Sequence, residues 1–195
     1  GLDMKIGPAL AKSWKATDPN TWIFTLREDV KFSDGSAMTS NDVVFSVLRA
    51  KQRTSDFKEY ISTISGVEAI GDYSVKIITS KPNPILLNQL SNIFIMSKPW
   101  SEKNFAMSPQ NWDAGQETFS ATNALGTGPF KITLREPNTK TVFKRNKHWW
   151  GKMTDKKVTQ IELMPIKNAA TRVAALLSGE IDIVTDAPVQ DLARI

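Results

Sequence analysis

The run from Thr21 to Ala50, TWIFTLREDVKFSDGSAMTSNDVVFSVLRA, constrains the fold more than any other stretch, because it dictates a strand, a tight turn and a capped helix in succession. Trp22, Phe24 and Leu26 alternate with Ile23, Thr25 and Arg27, the period-two pattern of a strand with its larger residues on one face and Ile23 on the other. Asp34-Gly35 predicts a reversal, since glycine tolerates positive φ and an aspartate side chain can bond the backbone two residues on. Thr39 precedes Asp42 by three residues, the spacing of a capping box, and Val43, Val44, Val47 and Leu48 then follow at helical spacing. An amphipathic helix starting near Ser40 is expected.

Upstream, Leu10, Ala11 and Trp14 share one side of either a short helix or an extended lead-in, and Asp18-Pro19-Asn20 turns the chain toward Trp22. Downstream, the polar run Lys51 to Lys58 leads to a short helix around Tyr60-Ile61 and Ile64. Val67 and Ala69 face Val75, Ile77 and Thr79 across Gly71-Asp72, which predicts a β-hairpin. Pro82-Asn83-Pro84 opens a short helix carrying Ile85, Leu86, Leu87 and Leu90, and Phe94-Ile95-Met96 is expected to be a buried strand. Trp100 to Asn123 is rich in Ser, Asn, Gln and Asp and is expected to be a surface connection anchored by Trp112 and Phe119. After it, Phe130, Ile132 and Leu134 pair across Pro137-Asn138 with Thr141, Phe143 and Arg145. Ile161 and Leu163 mark a further strand ending at Pro165. Asn168 caps a helix over Ala169 to Leu177 that stops at Gly179, and Glu180 to Ile183 is expected to be a strand.

Much catalytic chemistry is excluded by composition. The single histidine, His148, lies in a tryptophan-rich turn and no Gly-x-Ser-x-Gly occurs, so a hydrolase triad is not expected. One histidine and no cysteine leave too few ligands for a dedicated zinc or iron site, and neither metal nor cofactor is expected. The absence of cysteine does not choose between a reducing and an oxidising compartment. Gly126-Thr127-Gly128 lacks a following Gly-Lys-Ser/Thr, and Pro129 removes an N–H donor, so it reads as a turn into a strand rather than a phosphate loop. Asp34 and Asp42 could form a carboxylate pair for acid–base work, but the turn and the cap each claim one of them. Residues 1 to 125 balance 13 Lys/Arg against 13 Asp/Glu, while residues 126 to 195 carry 12 against 7, which places the whole net charge of +5 in the later segment. Within it, Lys140, Lys144, Arg145, Lys147, Lys152, Lys156 and Lys157 surround Trp149-Trp150, and a nucleic-acid-binding module using 140–157 is the alternative function. A solvated lysine face is the simpler reading. Phe45, Trp149 and Trp150 are candidates for a cavity wall, with core packing expected for at least two of them.

These motifs together resemble the family 5 extracytoplasmic solute-binding proteins. The matching residues are Leu10-Ala11, Trp14, Phe24, Leu26-Arg27, Val30, Phe32, Asp34-Gly35, Thr39, Asp42-Val43 and Phe45-Ser46, with Ser40 standing where alanine is usual. Gly126-Thr127-Gly128-Pro129-Phe130 is similar to a second family element. Asn146 to Gly151 is similar to a third, with Lys147 in place of proline and Trp149 in place of tyrosine. Leu176-Leu177, Gly179-Glu180 and Asp182 resemble the family's Leu-x-x-Gly-Glu-Ile-Asp segment.

The resemblance implies a mixed α/β chain, part of a type II periplasmic-binding-protein fold. Residues 1–123 would form a peripheral lobe and residues 124–195 part of the main ligand-binding lobe. It implies a non-enzymatic component of an ABC importer that captures oligopeptides or dipeptides and passes them to permease and ATPase subunits. The location would be the periplasm or a cell-surface lipoprotein, with membrane contact only through the permease and no nucleic acid as partner. Relatives that take nickel complexes or sugars leave the solute open. The family's charged anchors for peptide termini generally lie outside the matching stretch, so Phe45 and Gly126, Thr127, Gly128, Pro129 and Phe130 are the expected neighbours of the ligand. No apolar run is long enough to cross a bilayer, Gly1-Leu2-Asp3 does not open a signal sequence, and the chain is expected to be soluble. Leu192 to Ile195 continues an amphipathic pattern without a stop signal, and family members are longer, so a fragment is expected.

Overall fold

The computed structural model describes residues 5–152 and 157–195. Lys156 of the basic cluster and the opening Gly1-Leu2-Asp3 lie outside the described residues. The first half is built on a four-stranded antiparallel sheet of order β1-β2-β4-β3, with β1 Ala11–Asp18, β2 Thr21–Leu26, β3 Ile64–Ala69 and β4 Ser74–Thr79. The segment before Asp18 is therefore a strand rather than a helix. Register explains the sheet's two-sidedness: Phe24 pairs with Trp14 on one side and Val75 on the other, while Ile23 pairs with Lys15 and Lys76. One face is thus apolar and the opposite face carries lysines.

The helix α1, Ser40–Ala50, packs on the apolar face and contributes Val47 and Ala50 to a core with Phe24, Leu26, Val30, Phe32, Met38, Ile61, Ile64, Val75, Ile77 and Leu86. Phe32, Met38, Ile61 and Leu86 are fully buried, each stabilising by about 1.5–3 kcal/mol. Ser40, where the family pattern has alanine, is itself buried. Its hydroxyl donates to Gly71 O (2.6 Å) and its N–H to Asp72 O (2.8 Å), tying the helix start to the β3–β4 turn.

A second sheet has the order β5-β6-β7, with β5 Phe130–Glu136, β6 Lys140–Arg145 and β7 Gln160–Leu163, again antiparallel. Its first turn uses Asn138 at φ +60°. The helix after it, Ala169–Leu177, begins as the sequence indicates, Asn168 accepting from Thr171 N–H (2.9 Å). It ends in a Schellman arrangement in which Glu180 N–H donates to Ala175 O (2.9 Å) and Gly179 N–H to Leu176 O (3.1 Å).

Several local expectations fail for identifiable reasons. Phe94 to Met96 is not a strand: Met96 N–H donates to Ser46 Oγ (2.8 Å) and Lys98 N–H to Asp42 Oδ1 (2.8 Å), so this backbone is satisfied by side chains of α1 instead of a ladder. Phe94 is left 76% exposed. Glu180 to Ile183 is not a strand either, since Ile181 N–H turns back to Ala175 O (3.2 Å) and Ile183 faces solvent. Leu48, expected on the apolar face of α1, is exposed. The connection from Trp100 begins inside a short helix, α3 Lys98–Lys103, capped by Ser97 and following the short α2 Leu86–Leu90. Trp112 is exposed and makes no aromatic ring contact among the described residues, whereas the Phe119 ring meets Trp100 at 5.6 Å. Helix α4 spans Ala169–Leu177.

Candidate functional site

Three motifs far apart in sequence come together at one place. The aspartate–glycine turn is closed by Gly35 N–H donating to Phe32 O (2.9 Å) and by the amide and hydroxyl of Ser36 donating to Asp34 Oδ1 (2.9 and 2.6 Å). Ser33 N–H donates to Gly126 O (2.9 Å), which docks the Gly126–Phe130 segment on that turn. The segment is held from its other side by buried Asn146, whose Nδ2 donates to Gly128 O (2.8 Å) and whose N–H donates to Pro129 O (2.8 Å). Asn146 Oδ1 in turn accepts from His148 N–H (2.9 Å).

His148 closes the triangle. A Cβ placed on Gly35, whose φ is +97°, would stand 3.2 Å from the imidazole, so only glycine both makes this turn and lets the ring lie over it. Gly151 is needed for close approach: a Cβ there would collide with the Trp149 ring. Trp149 lies at 4.6 Å from Trp150, and the Arg27 guanidinium sits 4.7 Å above the Trp150 ring. Arg27 is held in place by a bidentate pair with Asp29 (3.0 and 2.9 Å). Trp150 also packs against the core of the first sheet. A cation over a tryptophan face is attracted by the negative face of the ring.

Beside this junction lies a cavity of 530 Å³ between the apolar sheet face, α1, α2 and the Gly126–Gly128 main chain. Trp14, Phe24 and Leu26 form its floor, Val43 and Val47 one side, and Leu87, Leu90, Ile93, Phe94 and Ile95 another. The lining is apolar apart from Ser91 and Thr127 and the glycines at 7, 126 and 128. Such a surface can hold a ligand by apolar contact and main-chain hydrogen bonds.

Charges surround the junction. Partial burial works against ionisation of Asp34, but the Ser36 hydroxyl and amide, with a smaller contribution from His148, hold its carboxyl below the usual range. Arg27 holds the Asp29 carboxyl low by its hydrogen bonds.

The expected ligand neighbours are distributed unevenly. Gly126, Thr127 and Gly128 line the cavity; Pro129 and Phe130 follow them into β5; Phe45 is buried on α1 outside the lining. Trp149 and Trp150 pack at the junction rather than on the cavity. The wall residues from α2 and the Ile93–Ile95 stretch escaped the sequence reading because they look like ordinary core positions.

The sequence model for bacterial extracellular solute-binding proteins, family 5 (middle), matches residues 5–195. The periplasmic murein peptide-binding protein MppA of Escherichia coli K12 is 28% identical over 94% of this chain and 36% of its own length. The nickel-binding periplasmic protein of the same organism is 31% identical over 93% of this chain and 33% of its own. The structure of AgaA of A. tumefaciens R10 in complex with agropinic acid superposes with a TM-score of 0.85 at 28% identity, over all of this chain and 38% of that one. The chain thus spans about a third of the length of its relatives, and its mixed α/β architecture is that of part of a type II periplasmic-binding-protein fold. The chain belongs to the bacterial extracellular solute-binding proteins of family 5.

Proposed function

We propose that this chain works within a longer protein, the solute-binding component of an ABC importer. That protein captures oligopeptides or dipeptides outside the cytoplasmic membrane and delivers them to permease and ATPase subunits. The observation that carries the reading is the family match over residues 5–195 together with the meeting of the family-like motifs beside the apolar cavity. Residues 1–123 are the peripheral lobe and residues 124–195 part of the ligand-binding lobe. Gly126, Thr127 and Gly128 offer main chain to the solute, Pro129 and Phe130 fix their direction, and Phe45 supports α1 from behind. Apolar walls with accessible main chain suit a peptide, whose own backbone supplies complementary donors and acceptors. The relative named for murein peptide supports this class, while those named for nickel and agropinic acid define the competitors. A periplasmic or cell-surface lipoprotein location accords with the periplasmic relatives, and no helix among the described residues is long and apolar enough to cross a membrane.

Titration calorimetry on the whole protein tests this, with dipeptides, a tri- to pentapeptide mixture, nickel–histidine and agropinic acid as parallel ligands. Saturable binding of peptides alone is expected. Binding of the nickel complex or the opine without any peptide response would overturn the peptide assignment, and no response to any solute would overturn the transport role.

A further inference from the structure

We propose that a second cavity, between the C-terminal turn of α1 and the 109–121 segment, binds a small zwitterion of the α-amino-acid class, its carboxylate on Arg49 and its ammonium on Asp56. The cavity measures 300 Å³, about ten water molecules' worth of space, enough for a single amino acid. It stands apart from the apolar cavity: Phe57 lines this one, Phe94 lines the other, and the two rings meet edge to face at 6.3 Å and 84°.

Arg49 is a half-buried cation whose acceptors are all neutral. Its Nε donates to Ala106 O (3.1 Å), and its Nη2 to Ser108 O (2.9 Å) and Ser120 Oγ (3.4 Å). Among the described residues no carboxylate comes within ion-pair distance of it and no acceptor is in reach of Nη1. Burial accordingly holds its pKa below the ordinary value. A carboxylate accepting from the guanidinium would supply the missing counter-charge through a charge-assisted bond, stronger than those to neutral oxygens.

Asp56 lines the same cavity and an adjoining recess of 310 Å³, and it too forms no ion pair among the described residues. The two charges border one space without forming an ion pair with each other. A molecule with both charges on one small frame offers each its opposite, whereas a simple anion would meet Asp56 as a like charge. Phe57 and the exposed face of Trp112 offer walls for an apolar side chain. An apolar amino acid such as leucine matches the set.

The test is a titration of the 15N-labelled whole protein with L-leucine, sodium acetate and ethylammonium chloride, followed by amide and Arg49 Nε–H resonances. L-leucine should give saturable shifts at residues 54–57 and 118–121, with affinity at least about tenfold above either half-ligand. Asp56→Asn removes the charge of a side chain that forms no ion pair among the described residues and should weaken leucine by about tenfold while leaving acetate unchanged or tighter. Arg49→Lys, with its fold checked by circular dichroism, should weaken both leucine and acetate. No saturable response to L-leucine, equal affinity for leucine and acetate, or full leucine affinity in Asp56→Asn would each overturn the proposal.

Discussion

At the scale of single residues, the start of α1 is organised by Asp42 more than by the capping threonine. Asp42 Oδ2 accepts from Thr39 N–H (2.8 Å) and Thr39 Oγ1–H (3.2 Å), and Oδ1 accepts from Lys98 N–H (2.8 Å), all at a buried position. Asp42→Ala leaves these donors without partners and should cost about 2–3 kcal/mol, whereas Thr39→Ala should cost about 1 kcal/mol. Urea denaturation of both variants decides the order; an equal or larger loss for Thr39→Ala would return the dominant role to threonine. Asp34 makes a pH-dependent contribution of determinate sign. Its carboxyl is held below its usual value in the folded chain, so its stabilisation is fully present above the unfolded-state value and is lost as pH falls through the lowered one. Denaturation midpoints measured from neutral to strongly acidic pH should fall less steeply in Asp34→Asn than in the parent chain. Parallel curves would show that this turn does not sense acid.

At the scale of elements, the Asn146 bracket carries the contact between the Gly126–Phe130 segment and the tryptophan turn. Removing its side chain leaves Gly128 O and His148 N–H without their partners, so Asn146→Ala should cost about 1–2 kcal/mol. Hydrogen exchange should speed up at residues 126–130 and 146–150 and stay unchanged in β2 and β4. Uniform acceleration across both sheets would mean that the two halves open as one. Elements with strict alternation and explicit turn chemistry were legible from sequence: β2, the β3–β4 hairpin around Gly71, the β5–β6 pair, and α1 and α4 with their caps. The stretches at 94–96 and 180–183 misled because an apolar run does not say whether a neighbouring strand will be there to take its hydrogen bonds. Helix α3 was missed although Ser97 before Lys98-Pro99 is an N-cap followed by early proline, a signal masked by the polar composition that follows. The junction was legible as motifs and illegible as a place, since nothing local tells Ser33 that its partner is Gly126. The cavity was less legible still, because Leu87, Leu90 and Ile95 become its wall only through the packing of α2 against the first sheet.

At the scale of the whole molecule, the two sheets differ in how well they are covered. The first has a buried apolar face under α1, while β7 is an edge strand whose residues are all exposed, Ile161 and Leu163 among them. Leu134 on the opposite edge strand and Leu177 on α4 are exposed as well. An exposed strand edge whose side chains include Ile161 and Leu163 can serve as a template for pairing with another chain, and exposed apolar side chains favour association. The 195-residue chain by itself should therefore fold stably around the first sheet and self-associate through the second. Sedimentation velocity over a concentration series would reveal the association, and Ile161→Lys with Leu163→Lys should suppress it while leaving the thermal transition of the first sheet in place. A strictly monomeric parent chain would remove the case for an uncovered edge. The same incompleteness bears on binding. In the proposed two-lobe protein the solute is enclosed between walls, and a chain spanning about a third of its relatives supplies one wall, so water keeps access and affinity suffers. Calorimetry with a mixed peptide library should give much weaker binding to the isolated chain than to the whole protein. Comparable tight binding by both would place the entire site within these residues and overturn the two-lobe account.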